Sequence, residues 1–473
     1  MSPRLPLNEA GSPKIGPLKV SHLAGVSGNA ARSKTHHRLL HIKNDGSFSP
    51  QKKALFREEP PRPPRLSELR ERARSWAEAR WLKLREAFPM LVGHMEFLVS
   101  GVDFAVRSVA WFRFGVVAVW LGFRLIVYSL MLLPAFLQIV AAYYHDRRIL
   151  RGVRFGPNQR NYVDIYCPQE AVAAQQGKGE KVPVVIAVMG GAWVMGHRAW
   201  NAQLGLRLMD FGVLVFAVDY RNFPFGRVPE MVEDVGRAVG WVFENAEAYG
   251  GDTSNMMLLA QSAGAHLSSL LLLERSFLEA SERKKEEDSG EEVEHTTSTH
   301  LDNGWSVGSL KGFLGVSGPY DFVTLEPHLA SRGIYSRILY SLTVDGDLAG
   351  CSPTRVLKMR DWRDAKATAA ALLPPIYLFH GECDKSVPFW STLDFAESLR
   401  EVGFNRLTVD VRPGMTHTYP VIEGPMAGED PQVEIALAFL LGEERAREVF
   451  KASPRSRMWP QIFLDIAKHI MPY

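Results

Sequence analysis

Little in this chain of 473 residues points to cross-linking or to a bound metal. It has three cysteines, Cys167, Cys351 and Cys383, an odd number without a CxxC pair. That excludes a disulfide framework and offers no zinc-ligand spacing, so a reducing compartment is the simpler expectation. Charge of one sign is also lacking: 55 Lys+Arg stand against 52 Asp+Glu, a formal net charge of only +3, and no nucleic-acid partner is expected. The opening MSPRLPLNEAGSPK contains no apolar run, so no cleavable secretory signal is expected there.

What is present begins with composition. Residues 1–66 are rich in Pro, Ser, Lys and Arg, have few large apolar residues, and are expected to be a disordered basic tail. The stretch LSELRERARSWAEARWLKLREAF, with Ser67 as N-cap, predicts an exposed or membrane-surface helix. Within a helical region at 67–150, Leu125 to Ala142 is uncharged and mostly apolar, long enough for a transmembrane candidate, and the best span is 114–143. A weaker apolar stretch, Met90 to Phe112, is interrupted by Glu96, Asp103 and Arg107 and reads as the first arm of a hairpin or as an interfacial helix. Trp111, Trp120, Tyr143 and Tyr144 lie where rings favour the headgroup layer. Arginines and lysines flank both sides, which favours the hairpin over a single pass.

After this anchor the pattern becomes short apolar runs alternating with helical stretches, the signature of a mainly parallel, doubly wound α/β sheet. Seven strands are expected, at Asn161–Cys167, Val182–Met189, Val213–Val218, Met256–Ala260, Phe313–Val316, Ile376–Phe379 and Leu407–Val411. They place one catalytic domain at 151–450, followed by a helix or tail at 451–473. An acidic insert at 281–303 is expected to be a disordered loop emerging opposite the strands' carboxyl ends. Residues from Pro319 to Ala371 are expected to cap the site.

The run MMLLA leads directly into Gln261-Ser262-Ala263-Gly264 and then an apolar helix, the strand, sharp turn and helix of a nucleophile elbow. Ala260 stands in place of the usual first glycine. A serine between small residues is weak as a lone pattern. It gains weight because a serine hydroxyl needs a base and the base needs a carboxylate, and the chain supplies both after later strands. His417 lies in GMTHT and Asp384 in FHGECD, in the order Ser, Asp, His. Gly190 and Gly191, after the strand VVIAVM, occupy the place of an oxyanion loop, with the Ala263 N–H as the further donor and Met189 in place of the usual histidine. Trp193 and Trp200 flank that loop as candidates for an apolar substrate pocket. His266, Asp219, Arg221 and Asp234 are expected to be structural, and Cys383 is assigned no chemistry. No metal and no organic cofactor is required.

With these segments in view, the chain resembles plant-type isoprenylcysteine alpha-carbonyl methylesterases, within the α/β-hydrolase carboxylesterases. The resemblance runs from about Arg113 to Gly442 and rests on GGAWVMGHRAW, VDYRNFP, YGGDTSNMMLLAQSAGAH, SRGIYSR, GMTHT and the apolar LMLLPAFLQ. It implies an α/β-hydrolase fold behind a membrane-anchor helical region, with Ser262 as nucleophile, Asp384 as acid and His417 as base. It also implies hydrolysis of the methyl ester of prenylated protein C-termini or small prenylcysteine methyl esters, at an endoplasmic reticulum or Golgi bilayer with the catalytic domain facing the cytosol. The acidic insert and long basic N-terminus depart from that pattern. Two other readings remain open from the residues alone: a membrane esterase or lipase for another apolar ester, and a hydrolase fold kept only for ligand binding.

Overall fold

The computed structural model describes residues 89–289, 304–332, 336–359, 368–453 and 455–470, together with Arg74, Ser75 and Arg80. The basic tail at 1–66 and nearly all of the helix expected after it lie outside the described residues.

In chain order the elements are α1 Pro89–His145, β1 Ile149–Arg154, β2 Tyr162–Tyr166, α2 Gln169–Gln175, β3 Val182–Val188, α3 Ala202–Asp210, β4 Leu214–Val218, α4 Val228–Asn245, β5 Gly251–Gln261, α5 Ala263–Ser289 and β6 Gly312–Val316. They continue with α6 Phe322–Ser331, α7 Ile338–Leu342, α8 Pro353–Val356, β7 Ile376–Gly381, α9 Trp390–Glu401, β8 Leu407–Arg412, α10 Glu423–Ala427, α11 Pro431–Leu441, α12 Glu443–Ala452 and α13 Gln461–Ile470. The eight strands form one sheet in the order β1-β2-β4-β3-β5-β6-β7-β8. Strands β3 to β8 run parallel, while β1 and β2 are antiparallel to their neighbours.

The fold is therefore the α/β-hydrolase arrangement that the alternation of strands and helices implies. The central strands are fully buried because both faces are covered. Val184, Ile186 and Val188 of β3 face a core closed by α4, α5 and α9, and Val185 and Ala187 face one closed by α1, α3, α11 and α13. Chain order reverses at β3, between β4 and β5, so a crevice opens beyond the carboxyl ends of β3 and β5.

Three expectations change. The sheet has an eighth strand, β1, formed by ILRGVR directly after α1. It was hidden because an edge strand of six residues broken by Arg151, Gly152 and Arg154 has no apolar run to announce it. The segment expected to form a hairpin, or an interfacial helix followed by a span, is one continuous helix of 57 residues. Glu96, Asp103 and Arg107 interrupt hydropathy without interrupting helix formation, since all three are compatible with a helix interior. Finally, α5 runs to Ser289, so the acidic insert starts as helix; residues 290–303 lie outside the described residues.

Helix α1 has two distinct faces over its second half. From Gly115 to His145 it is long and apolar enough to cross a membrane. Yet Tyr128, Leu132, Ala135, Ile139 and Tyr143, a stripe at helical spacing, are buried against the domain. Val119, Trp120, Phe123, Ile126, Leu130 and Leu137 are exposed on the remaining surface. Tyr143 is 6% exposed and donates to Asp164 Oδ2 at 2.7 Å, so it is a buried tie to β2 and not the headgroup-layer ring expected from sequence. Arg124 donates to the carbonyls of His469 and Ile470, joining α1 to the end of α13.

Candidate active site

Ser262 stands between the end of β5 and the start of α5, and the backbone there turns so sharply that its φ is +53°. A non-glycine residue is strained in that region by an amount on the order of 1–3 kcal/mol, tolerated only where the surroundings enforce it. They do so here. Ser262 N–H donates to Val316 O on β6 at 2.8 Å, and its carbonyl accepts from His266 N–H at 3.1 Å. The next residue but one must be glycine, because a Cβ on Gly264 would lie 2.3 Å from Val188 O. Ala260 fits at the first position because it is an ordinary residue of β5, paired with Val188 and Gly315.

His417 arrives from the loop after β8. Ser262 Oγ lies 2.9 Å from His417 Nε2, and His417 Nδ1 lies 2.7 Å from Asp384 Oδ2. With Nδ1 donating to the carboxylate, Nε2 is left as the acceptor for the serine proton. The other Asp384 oxygen accepts from the backbone N–H groups of Ser386 and Val387, at 2.8 and 2.9 Å. Burial alone would raise the pKa of this carboxyl. The His417 charge and the hydrogen bonds from His380 and His417 outweigh it and hold the group well below the usual carboxylate range.

The loop after β3 is shaped by its glycines. A Cβ on Gly190 would come within 2.6 Å of Ser262 Cβ, and Gly191 has φ +139°, where a Cβ would meet Gly196 N at 2.2 Å. The loop folds back on itself, with Val194 and Met195 N–H both donating to Gly191 O at 3.0 Å. Its far end is fixed by Asn222 Nδ2 and Arg160 Nη2, which donate to Gly196 O at 2.9 and 2.6 Å. Ala263 is the first residue of α5, so its N–H has no partner within that helix. Gly190, Gly191 and Ala263 thus border the nucleophile from two sides of the switch point.

The two tryptophans separate. Trp193 is 5% exposed, donates to His266 Nδ1 at 3.3 Å, and stacks edge-on against His266 and Phe322. It belongs to the core beneath the loop and does not form the open pocket wall expected of it, because its ring has an apolar and hydrogen-bonding niche there. Trp200 is half exposed and lines a narrow crevice with Met189, Leu204, Gln261, Pro420 and Val421. His266 is structural: its Nε2 lies 2.6 Å from Cys351 O, and burial lowers its pKa to about 4. Asp219 pairs with Arg160 and Arg198, and Arg221 with Asp234, beside the Gly190–Gly191 loop. Cys383 is exposed.

Two polar residues at this site escaped the sequence reading. His380, wholly buried, has Nε2 3.1 Å from Asp384 Oδ2 and Nδ1 2.7 Å from Thr392 Oγ1. Its position at the end of β7, four residues before Asp384, was the available signal. Gln261 has Nε2 3.4 Å from His417 Nε2 and packs its amide against Gly190. The segment Pro319–Ala371 contributes α6, α7 and α8 at this edge, with His328 Nε2 2.9 Å from Lys385 O in the Asp384 loop.

Comparison with known proteins agrees with this chemistry. The family model described as BD-FAE matches residues 163–399. Isoprenylcysteine alpha-carbonyl methylesterase of Arabidopsis thaliana is 31% identical over 397 residues, covering 82% of this chain and 85% of that protein. A probable isoprenylcysteine alpha-carbonyl methylesterase of Oryza sativa subsp. japonica is 34% identical, covering 74% of this chain and 78% of its own. Esterase LipC of Mycobacterium tuberculosis is 27% identical, over 65% of this chain and 68% of its length. The protein is a carboxylic ester hydrolase with the α/β-hydrolase fold. With identity of this order over most of both chains, it belongs to the isoprenylcysteine alpha-carbonyl methylesterase family.

Proposed function

We propose that the chain hydrolyses the methyl ester of prenylcysteine, at the C-terminus of prenylated proteins or in small prenylcysteine methyl esters, with Ser262 as nucleophile, His417 as general base and acid, and Asp384 as its orienting carboxylate. The observation that carries the chemistry is the unbroken hydrogen-bond chain from Ser262 through His417 to Asp384 on a strained elbow. The substrate class rests on the names of the relatives.

In this reading Ser262 Oγ attacks the ester carbonyl while His417 Nε2 takes its proton. The oxyanion forms beside the backbone N–H groups of the Gly190–Gly191 loop and Ala263. His417 then returns the proton to the departing methoxide, which leaves as methanol. A water activated by the same histidine cleaves the acyl-enzyme and releases the free prenylcysteine carboxylate. Asp384 stays ionised throughout and stabilises the imidazolium.

The same proposal places the protein on a bilayer of the endoplasmic reticulum or Golgi with its catalytic domain in the cytosol. The exposed apolar side chains of α1 support the lipid contact, and a prenylated substrate partitions into the same layer. The location and orientation follow from the resemblance to the family and from where prenylated chains are met.

The test is methanol release from a prenylcysteine methyl ester by the detergent-solubilised full chain, with Ser262→Ala and a non-prenylated cysteine methyl ester alongside. Turnover restricted to the prenylated ester and the intact serine is the expected result. Equal turnover of both esters would replace this reading with that of a general apolar esterase.

A further inference from the structure

The histidine loop contains a buried carboxyl that the reaction does not use. Glu423 is wholly inaccessible, and its Oε1 accepts two hydrogen bonds of 2.9 Å, from Thr418 Oγ1 and from Tyr128 Oη on α1. Its Oε2 has no hydrogen-bond partner among the described residues. No arginine or lysine pairs with it among the ion pairs of the described residues; Lys468, whose charge acts on it, lies over the Tyr419 ring and beside Asp465. Burial accordingly pushes its pKa up. A half-satisfied buried carboxyl is expensive, about 1–3 kcal/mol for the orphaned atom alone, and packing would be served better by an apolar side chain.

What Glu423 holds is the root of the loop that carries the base. Thr418 follows His417 directly, and its carbonyl accepts from Val421 and Ile422 N–H, at 3.0 and 2.8 Å, closing the turn. The Thr418 side chain is thus tied through Glu423 to a tyrosine nearly 300 residues earlier in the chain, on helix α1. Removing the Tyr128 hydroxyl frees one end of that tie without touching Ser262, His417 or Asp384.

We propose that Glu423 is a positioning residue for His417, set in place by Tyr128, so that α1 must be seated on the domain for the base to stand within reach of the serine. The proposal rests on the serine-esterase reading of the site and is independent of which ester is hydrolysed. It makes the apolar helix part of the active site's support as well as a candidate membrane contact.

The experiment uses the full chain in detergent and follows three quantities: the rate of Ser262 labelling by a fluorophosphonate, kcat and KM for a short p-nitrophenyl ester, and thermal stability. Tyr128→Phe and Thr418→Val should each lower kcat and the labelling rate about three- to tenfold, with KM unchanged. Glu423→Ala should lower them further, and Glu423→Gln, which keeps an acceptor oxygen, should restore most of the loss. Tyr128→Phe combined with Glu423→Ala should be no worse than Glu423→Ala alone, since the residues act as one unit. If Glu423→Ala does not fold, the two hydroxyl deletions decide. Variants that lose thermal stability while kcat and labelling rate stay at parental values would overturn the proposal, leaving Glu423 a purely structural group. A parent protein that does not label would overturn the esterase reading itself.

Discussion

Ser262 and His417 meet at 2.9 Å, yet they are held there by different means. The serine is placed by its own neighbourhood: a strand end, a left-handed φ, and glycines at 190 and 264 where any side chain would strike Ser262 or Val188. The histidine sits in a loop whose course is decided from far away. Gln432 donates to Pro420 O at 2.6 Å, Gln203 to Val421 O at 3.4 Å, and Glu423 gathers Tyr128 and Thr418. Backbone sterics give Ser262 a position that cannot be adjusted without breaking the turn. Side-chain hydrogen bonds give His417 a position that can be weakened in small steps.

The largest test of this contrast is at the serine itself. Ser262→Ala should lower kcat by at least about 10³-fold and abolish fluorophosphonate labelling with little change in thermal stability. Next in size, Gly190→Ala should lower kcat/KM by about 10²-fold or more, because its new methyl group would enter the space of Ser262 Cβ. In the same region Gly264→Ala should destabilise the fold by about 2–4 kcal/mol in urea denaturation. A mild effect of either would show that the elbow is less rigid than its close contacts imply.

Substitutions that weaken the histidine and aspartate side should act by degrees. His380→Leu removes one donor from Asp384 and should lower kcat/KM about tenfold, with labelling by fluorophosphonate slowed in proportion. Gln432→Leu frees one carbonyl of the histidine loop and should lower kcat only about three- to fivefold at unchanged KM. If Gln432→Leu proved as severe as Gly190→Ala, the distinction between the two regions would fail.

The smallest effect on turnover is expected at His266, which lies beneath the elbow and outside the proton-transfer chain. Its signature is in stability against pH. Its folded pKa is depressed to about 4, so the native state holds it neutral while the unfolded chain, with a pKa of about 6.5, binds a proton. The stabilisation is fully present above about pH 6.5 and is lost as pH falls toward 4, up to about 3 kcal/mol in all. Denaturation midpoints of the parent and His266→Gln, measured from pH 7 to pH 4, should converge as the pH falls. Parallel curves would mean that the imidazole titrates alike in both states.

The elements nearest the chemistry were legible in the sequence because their signals are local. MMLLA followed by QSAGAH marks a strand, a turn and a helix within a dozen residues, and GG after VVIAVM marks a tight approach. Asp384 and His417 could be placed because each follows a short run with strand character, β7 inside the sheet and β8 at its edge. His380 was overlooked because a buried histidine at a strand end has the same local sequence whether it meets a carboxylate or not. Strand β1 was overlooked because Arg151 and Arg154 interrupt its apolar residues and only Ile149 among them is buried.

Helix α1 marks the limit most clearly. Its buried Leu132, Ala135 and Ile139 and its exposed Leu130, Leu133 and Leu137 are the same kinds of residue, so periodicity carries no information about which side meets the domain. Composition determined that this segment is a long apolar helix and that a parallel sheet with an elbow serine follows, because propensity, hydropathy and steric size act over neighbouring residues. Only the tertiary structure decided that Tyr128 and Tyr143 face inward onto Glu423 and Asp164, because a buried hydroxyl goes where an acceptor waits, and those acceptors lie on other parts of the chain.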